Sequence, residues 1–283
     1  MKKILGIRAY IFALLPFLFP SFVYALEDSV CTKKINPTII NNEVGDSAIG
    51  LDFLYKNYFG DMASQCGNKK TSTEGYSVAG EDVILPIDDN SEGGHLIVDG
   101  TVSFENDILP KELITIDAGY TWFRMEEENT QLLMFESAEY TAGIKHETDQ
   151  NFDESITSAS FSGIAHVSTI SLLLGVDYIL SDEDEARKVL VEDDNYVRLR
   201  GEITVGKGFK LDKQHFVISW NYRYFKEMDA EDAVVNAGLD KYFISTVKLD
   251  FLNSGTYVAY SRGDLPFDHS EGRVFKIGWS HNF

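Results

Sequence analysis

Arg273-Val-Phe-Lys-Ile-Gly-Trp-Ser-His-Asn-Phe283 decides the fold. Phe275, Ile277, Trp279, His281 and Phe283 fall on one side of an extended chain, and Val274, Lys276, Gly278, Ser280 and Asn282 on the other. This is the period-2 signature of a strand with one largely apolar face and one mostly polar face.

Upstream, the same pattern recurs. Ten strands are expected, at about 94–105, 113–124, 131–146, 154–167, 169–181, 195–209, 215–226, 240–252, 255–263 and 272–283. In the first, Leu96, Val98, Val102 and Phe104 oppose Asp99, Thr101, Ser103 and Glu105. In the sixth, Val197, Leu199, Ile203 and Val205 oppose Arg198, Arg200, Glu202 and Thr204. Strands of nine or more residues are long for a globular sheet and suit a tilted crossing of a bilayer. Trp122, Tyr178, Tyr224, Tyr242 and Trp279 lie near strand ends, as aromatic girdles do. The apolar face is expected to meet lipid and the polar face to line an interior.

Connection lengths alternate. Those at 147–153, 182–194, 227–239 and 264–271 are long and polar, whereas those near Ser168, at 210–214 and at 253–254 are short. Barrels of the outer membrane place short turns on the periplasmic side and long loops outside.

The N-terminus carries an export signal. Lys2, Lys3 and Arg8 precede an apolar run from Ala9 to Val23, and Val23-Tyr24-Ala25 resembles a cleavage site. Removing residues 1–25 takes away three bases and no acid, so the formal charge of −20 becomes −23. So acidic a chain is a poor partner for nucleic acid and for anionic lipid surfaces. No later run is long and apolar enough for a membrane helix, so any crossing must be made by strands.

Residues 26–93 admit two readings. Ile49, Leu51, Phe53 and Tyr55 alternate as a strand, with Tyr76–Ile87 as its partner, giving twelve strands. Alternatively 49–65 is an amphipathic helix and the barrel has ten. Both totals are even; twelve is favoured, with residues 26–45 as a periplasmic segment or plug and 46–283 as the barrel. Cys31 and Cys66 are a candidate disulfide in an oxidising compartment. The twelve-strand reading places them at opposite ends of the barrel, which makes the bridge awkward.

Together, the signal segment, the alternating strands and the places held by Lys276, Gly278, His281 and Phe283 resemble Gram-negative outer-membrane β-barrel proteins. The likeness is to small porin-like barrels or a solitary autotransporter-type barrel. His281 departs from the usual aromatic or apolar residue there. The resemblance implies an all-β, transmembrane, antiparallel up-and-down barrel of ten to twelve strands in the outer membrane. It further implies surroundings of outer-membrane lipid and lipopolysaccharide, and insertion by the barrel-assembly machinery through that terminal signal.

The chemistry is thin. Arg198, Arg200, Glu202, Arg223, Lys248 and Asp250 should face the lumen, with Asp99, Asp117, Asp177 and Lys276. They form either a constriction selecting small solutes or salt bridges filling a narrow barrel. The acidic stretch Ser181–Glu185 through Glu192–Asp194 is either a divalent-cation site or a solvated loop. Asp268-His269-Ser270 has the residue types of a hydrolase, without a recognisable triad pattern. His166 reads as a hydrogen-bonded lumen residue. Arg262-Gly263-Asp264, an integrin-type tripeptide, should open an outside loop. No motif for a cofactor is read. The expected function is a passive channel for small solutes; the alternatives are a filled structural or surface-interaction barrel and, behind both, a membrane-embedded hydrolase.

Overall fold

The computed structural model describes residues 30–43, 45–62, 92–105, 108–125, 137–167, 169–191 and 195–279. Twelve strands close one antiparallel barrel in which each pairs with its sequence neighbours and β1 (Val30–Asn42) seals against β12 (Asp268–Trp279). Between them run β2 (Ser47–Tyr58), β3 (Glu92–Ser103), β4 (Ile114–Met125), β5 (Ser137–Thr148), β6 (Ser155–Val167) and β7 (Ile170–Asp182). The rest are β8 (Val197–Leu211), β9 (Gln214–Met228), β10 (Lys241–Phe251) and β11 (Thr256–Leu265). Two short helices, α1 (Glu185–Lys188) and α2 (Asp232–Ala237), sit in the β7–β8 and β9–β10 connections.

The pleat sorts the side chains as the alternation predicts. Leu174, Val176, Tyr178 and Leu180 of β7 project outward, while Asp177 is fully buried on the inside. Leu199 and Ile203 of β8, Ile218 and Trp220 of β9, and Phe275 and Trp279 of β12 continue the outer belt.

Several expectations are corrected. Residues 30–42 are not a periplasmic segment or plug but the closing strand, pairing Thr38 with Gly278 and Asn42 with Val274. The alternation is interrupted in sequence by Pro37 and by Ile40, which is buried inside, although Ile35 and Ile39 face out. The partners of β2 are therefore β1 and β3; Tyr76–Ile87 lies outside the described residues. Next, the β11–β12 connection is a two-residue turn, Pro266–Phe267, with a left-handed Phe267, not a long loop. Arg262-Gly263-Asp264 is consequently strand, with Arg262 opposite Arg273. Finally, Tyr242 points inward and packs on Phe225, Ile244 and Leu265, so it is no girdle residue.

Antiparallel pairing also fixes which connections share an end. The stretch 59–91 leaves β2 and enters β3 at the end where β1 begins and β12 finishes; Val30 pairs with Asn57 there. The strand ends flanking Cys66 are thus on the side of Cys31, not opposite it. Cys66 itself, like residues 1–25, His281 and Phe283, is outside the described residues.

Candidate functional site

The interior is organised by the connection between β3 and β4. Instead of standing off the rim, residues 108–113 turn into the barrel. Ile108 joins a buried cluster with Ile40, Ala48 and Val274 on the wall of β1, β2 and β12. Leu113 packs on the Phe225, Ile244 and Leu265 cluster of β9, β10 and β11. The segment therefore leaves β3 and touches walls far around the barrel before returning to β4. Lys111 adopts a left-handed backbone (φ 56°) and is buried. Gly100 of β3, at φ 150°, lets Ile114 approach where a Cβ would collide with the Ile114 backbone.

A polar latch holds the segment. Lys276 Nζ of β12 lies 2.5 Å from Glu112 Oε1 and 3.6 Å from Asp52 of β2. Thr101 of β3 donates to Asp52 at 2.7 Å and also to Glu112, and the Tyr257 hydroxyl of β11 donates to Asp52. Burial raises the Glu112 carboxyl, but Lys276 and Thr101 outweigh it and hold the group below the usual carboxylate range. Tyr257 reaches Asp52 by crossing Gly278, where any Cβ would overlap its ring.

Beside this segment lies a cavity of about 580 Å³. Its lining includes Lys34, Lys56, Lys111, Arg223, Lys248 and Lys276, against the carboxylates of Asp52, Asp99, Glu112 and Asp250. Lys248 pairs with Asp250 at 2.9 Å and stands over the Tyr257 ring. Ser219, buried on the same wall, has no hydrogen-bond partner for its hydroxyl.

The other side of the lumen is packed. Arg198 donates to Asp177 through Nε (3.1 Å) and Nη2 (2.8 Å) and through Nη2 to Glu147 as well. Lys145 reaches Glu147 at 2.6 Å, Ser160 donates to Asp177 at 2.8 Å, and the Arg198 guanidinium stands 5.0 Å from the Phe225 ring centroid. Arg200 lies across Gly175 and bonds weakly to Ser160 at 3.5 Å. Arg187 of α1 continues this toward the rim, pairing with Glu227 at 2.9 Å. Burial lowers the Arg187 guanidinium, but Glu227 more than compensates and keeps it ionised. Burial and neighbouring Asp182 push the Tyr196 phenol up, so its hydroxyl stays protonated and donates to Asp182 at 2.7 Å.

The predicted lumen set is thus divided. Lys248 and Asp250 line the cavity with Arg223, whose Nε is 3.4 Å from Glu202. Arg198 is locked in the packed network. Within the acidic stretch, Asp182 and Asp184 are buried rather than solvated, and Asp184 caps α1 by accepting from Ala186 and Arg187. Among the described residues no group of three or more His, Cys, Asp or Glu is arranged to hold a metal ion. His166 bonds Ser171 at 2.8 Å, as a lumen histidine should. The side chains of Asp268, His269 and Ser270 lie outside the described set. Two features were missed in the sequence. One is the crossing segment, whose signal was the apolar run Ile108-Leu109-Pro110 set in an otherwise polar connection. The other is a buried set, His95 with Asp117 at 3.1 Å and Thr121 at 2.9 Å, legible only from the β3–β4 register.

No protein-family model and no curated protein matches the chain. Among solved structures, the outer-membrane phospholipase A of Escherichia coli is similar at TM-score 0.47 and 10% identity, over 89% of this chain and 90% of that one. The NanC porin is similar at 0.45 and 8%, over 88% and 100%. A loop-deletion form of OmpT, an outer membrane protein of Vibrio cholerae, reaches 0.39 and 11%, over 89% and 97%. These are outer-membrane barrel proteins of differing activity, too distant to choose a function; the closed twelve-strand barrel is established by the pairing of the strands themselves.

Proposed function

We propose that this chain is an exported outer-membrane β-barrel whose lumen is a passive channel for small solutes. The observation that carries the reading is the cavity of about 580 Å³ inside the barrel, lined by ten charged side chains and bordered by an inward-folded segment. Eight strands enclose a space that side chains just fill, and sixteen leave a wide aqueous pore. Twelve fall between, and this barrel shows both outcomes: a packed network on the β5–β9 side and a cavity on the other. The outer belt supports the membrane. Leu174 is 63% exposed and Ile49 63%, and such a belt around a whole molecule in water would be a severe association hazard. The length of the strands, 10 to 15 residues, suits a tilted crossing. On this reading residues 1–25 are removed as a signal peptide, and Lys276, Gly278, His281 and Phe283 serve barrel assembly. Lipid and lipopolysaccharide then surround the belt.

The Arg198 network favours a second reading, a filled structural barrel, because it closes much of one side. Refolded protein in a planar bilayer separates the two. Discrete conductance steps support the channel. A silent bilayer, with folding confirmed by heat-shifted gel mobility, would leave the filled barrel.

A further inference from the structure

We infer that the cavity beside the crossing segment is a binding site for small anions, the carboxylate or phosphate group of a permeating solute. The inference rests on the channel reading and deepens it. Its basis is a charge inversion. The chain carries −20, yet six cations line the cavity against four carboxylates. Counting Glu202, which contacts Arg223 from the next strand, the balance remains positive.

The placement of these cations is unlike a solvated charged face. Lys34, Lys56, Arg223, Lys248 and Lys276 come from five different strands, and Lys111 from the segment between β3 and β4. They line one partly open space inside the barrel, where low-dielectric walls concentrate the field of each charge. The acidic rim, with exposed Asp153, Glu183, Glu185 and Glu231, belongs to connections beyond the strand ends. Charges there fade over a screening length of about 8 Å at physiological salt, so the nearer lumen charges decide which ion is favoured.

A second observation points to a ligand. Ser219 Oγ is buried, lines the cavity and has no hydrogen-bond partner. It stands directly across the ladder from Lys248. A buried hydroxyl without a partner is costly, and an anion oxygen held at Lys248 would accept its proton. The volume is right for a small organic anion or phosphate with part of its water.

The test uses wild type and Arg223→Gln/Lys248→Gln, with Lys34→Gln/Lys56→Gln as an independent pair on the facing wall. Reversal potentials in a KCl gradient should give wild type a chloride-to-potassium permeability ratio of about 3 or more, falling toward 1 in either pair. Separately, inorganic phosphate at constant ionic strength should raise the thermal midpoint of the refolded protein saturably, and either pair should abolish the rise. A conducting wild type that prefers potassium, or selectivity unchanged in both pairs, overturns the anion site and leaves the channel standing. A silent bilayer with saturable phosphate stabilisation does the reverse. No stabilisation in a silent protein overturns both.

Discussion

Replacing Arg198 with methionine should destabilise the barrel more than any other single polar substitution in the lumen. The reasoning starts from what remains. Arg198 is 2% exposed and gives hydrogen bonds to Asp177 and Glu147, themselves 0% and 1% exposed. Methionine fills most of the space but cancels one charge, leaving two buried carboxylates with Lys145, at 2.6 Å from Glu147, and the charge of neighbouring Arg200, but without the guanidinium that bonded to both. Removing one partner of a buried, hydrogen-bonded ion pair costs about 3–5 kcal/mol, because the other charge is stranded. At ~1.4 kcal/mol per factor of ten, the folded-to-unfolded ratio falls by about two to four decades. Urea titration of the refolded barrel in lipid, followed by heat-shifted gel mobility, measures it. With a denaturant slope of about 2 kcal/mol/M the midpoint should drop by ~1.5–2.5 M. Arg198→Met combined with Asp177→Leu should recover part of that loss, since the stranded charge is gone. A midpoint within ~0.3 M of wild type would refute the reasoning, as would a double variant weaker than the sum of the single ones.

Glu112 supplies a pH prediction. Its folded carboxyl lies below its ordinary value, so its contribution is present at neutral and mildly acid pH. That contribution is lost only as pH falls through the folded value, below the ordinary carboxylate range. Lys276, Asp52, Thr101 and Arg223 act on it. The stability difference between wild type and Glu112→Gln should therefore stay constant through neutral and mildly acid pH and shrink only below the ordinary carboxylate range; a difference that vanishes at mildly acid pH would contradict the latch. Gly278→Ala should displace the Tyr257 ring and break its bond to Asp52, lowering stability by about 1–3 kcal/mol; an unaltered thermal midpoint would show that the ring is not held there. Cys31 and the strand ends flanking Cys66 share one end of the barrel, so we expect these two cysteines to pair. Intact mass before and after reduction should differ by two hydrogens, and two titratable thiols in unreduced protein would exclude the bridge.

Much of the barrel was legible because a strand with one face to lipid and one to a polar lumen alternates strictly, and charges such as Arg198, Lys248 and Asp250 mark the inner face unambiguously. The N-terminal strand was not, because Ile40 is apolar and inward: it packs on Ile108 of the crossing segment, a contact made across about 70 residues of sequence. The same segment explains the other failures. A connection that folds inside needs apolar residues on the inner wall, so Val274, Ile244 and Phe225 break the rule that inward means polar. Tyr242 was misassigned for this reason. For the site, residue types and facing were readable strand by strand. Which cations share the cavity and which lock into ion pairs depends on the stagger between strands, and a single sequence carries no register.

The central claim is that the lumen conducts and that residues 108–113 narrow it. Single-channel recording of wild type beside a variant lacking Ile108–Glu112 tests this most directly. The variant should fold with the same heat-shifted mobility and give clearly larger conductance steps than wild type. Equal steps, or silence from both folded proteins, would contradict the account.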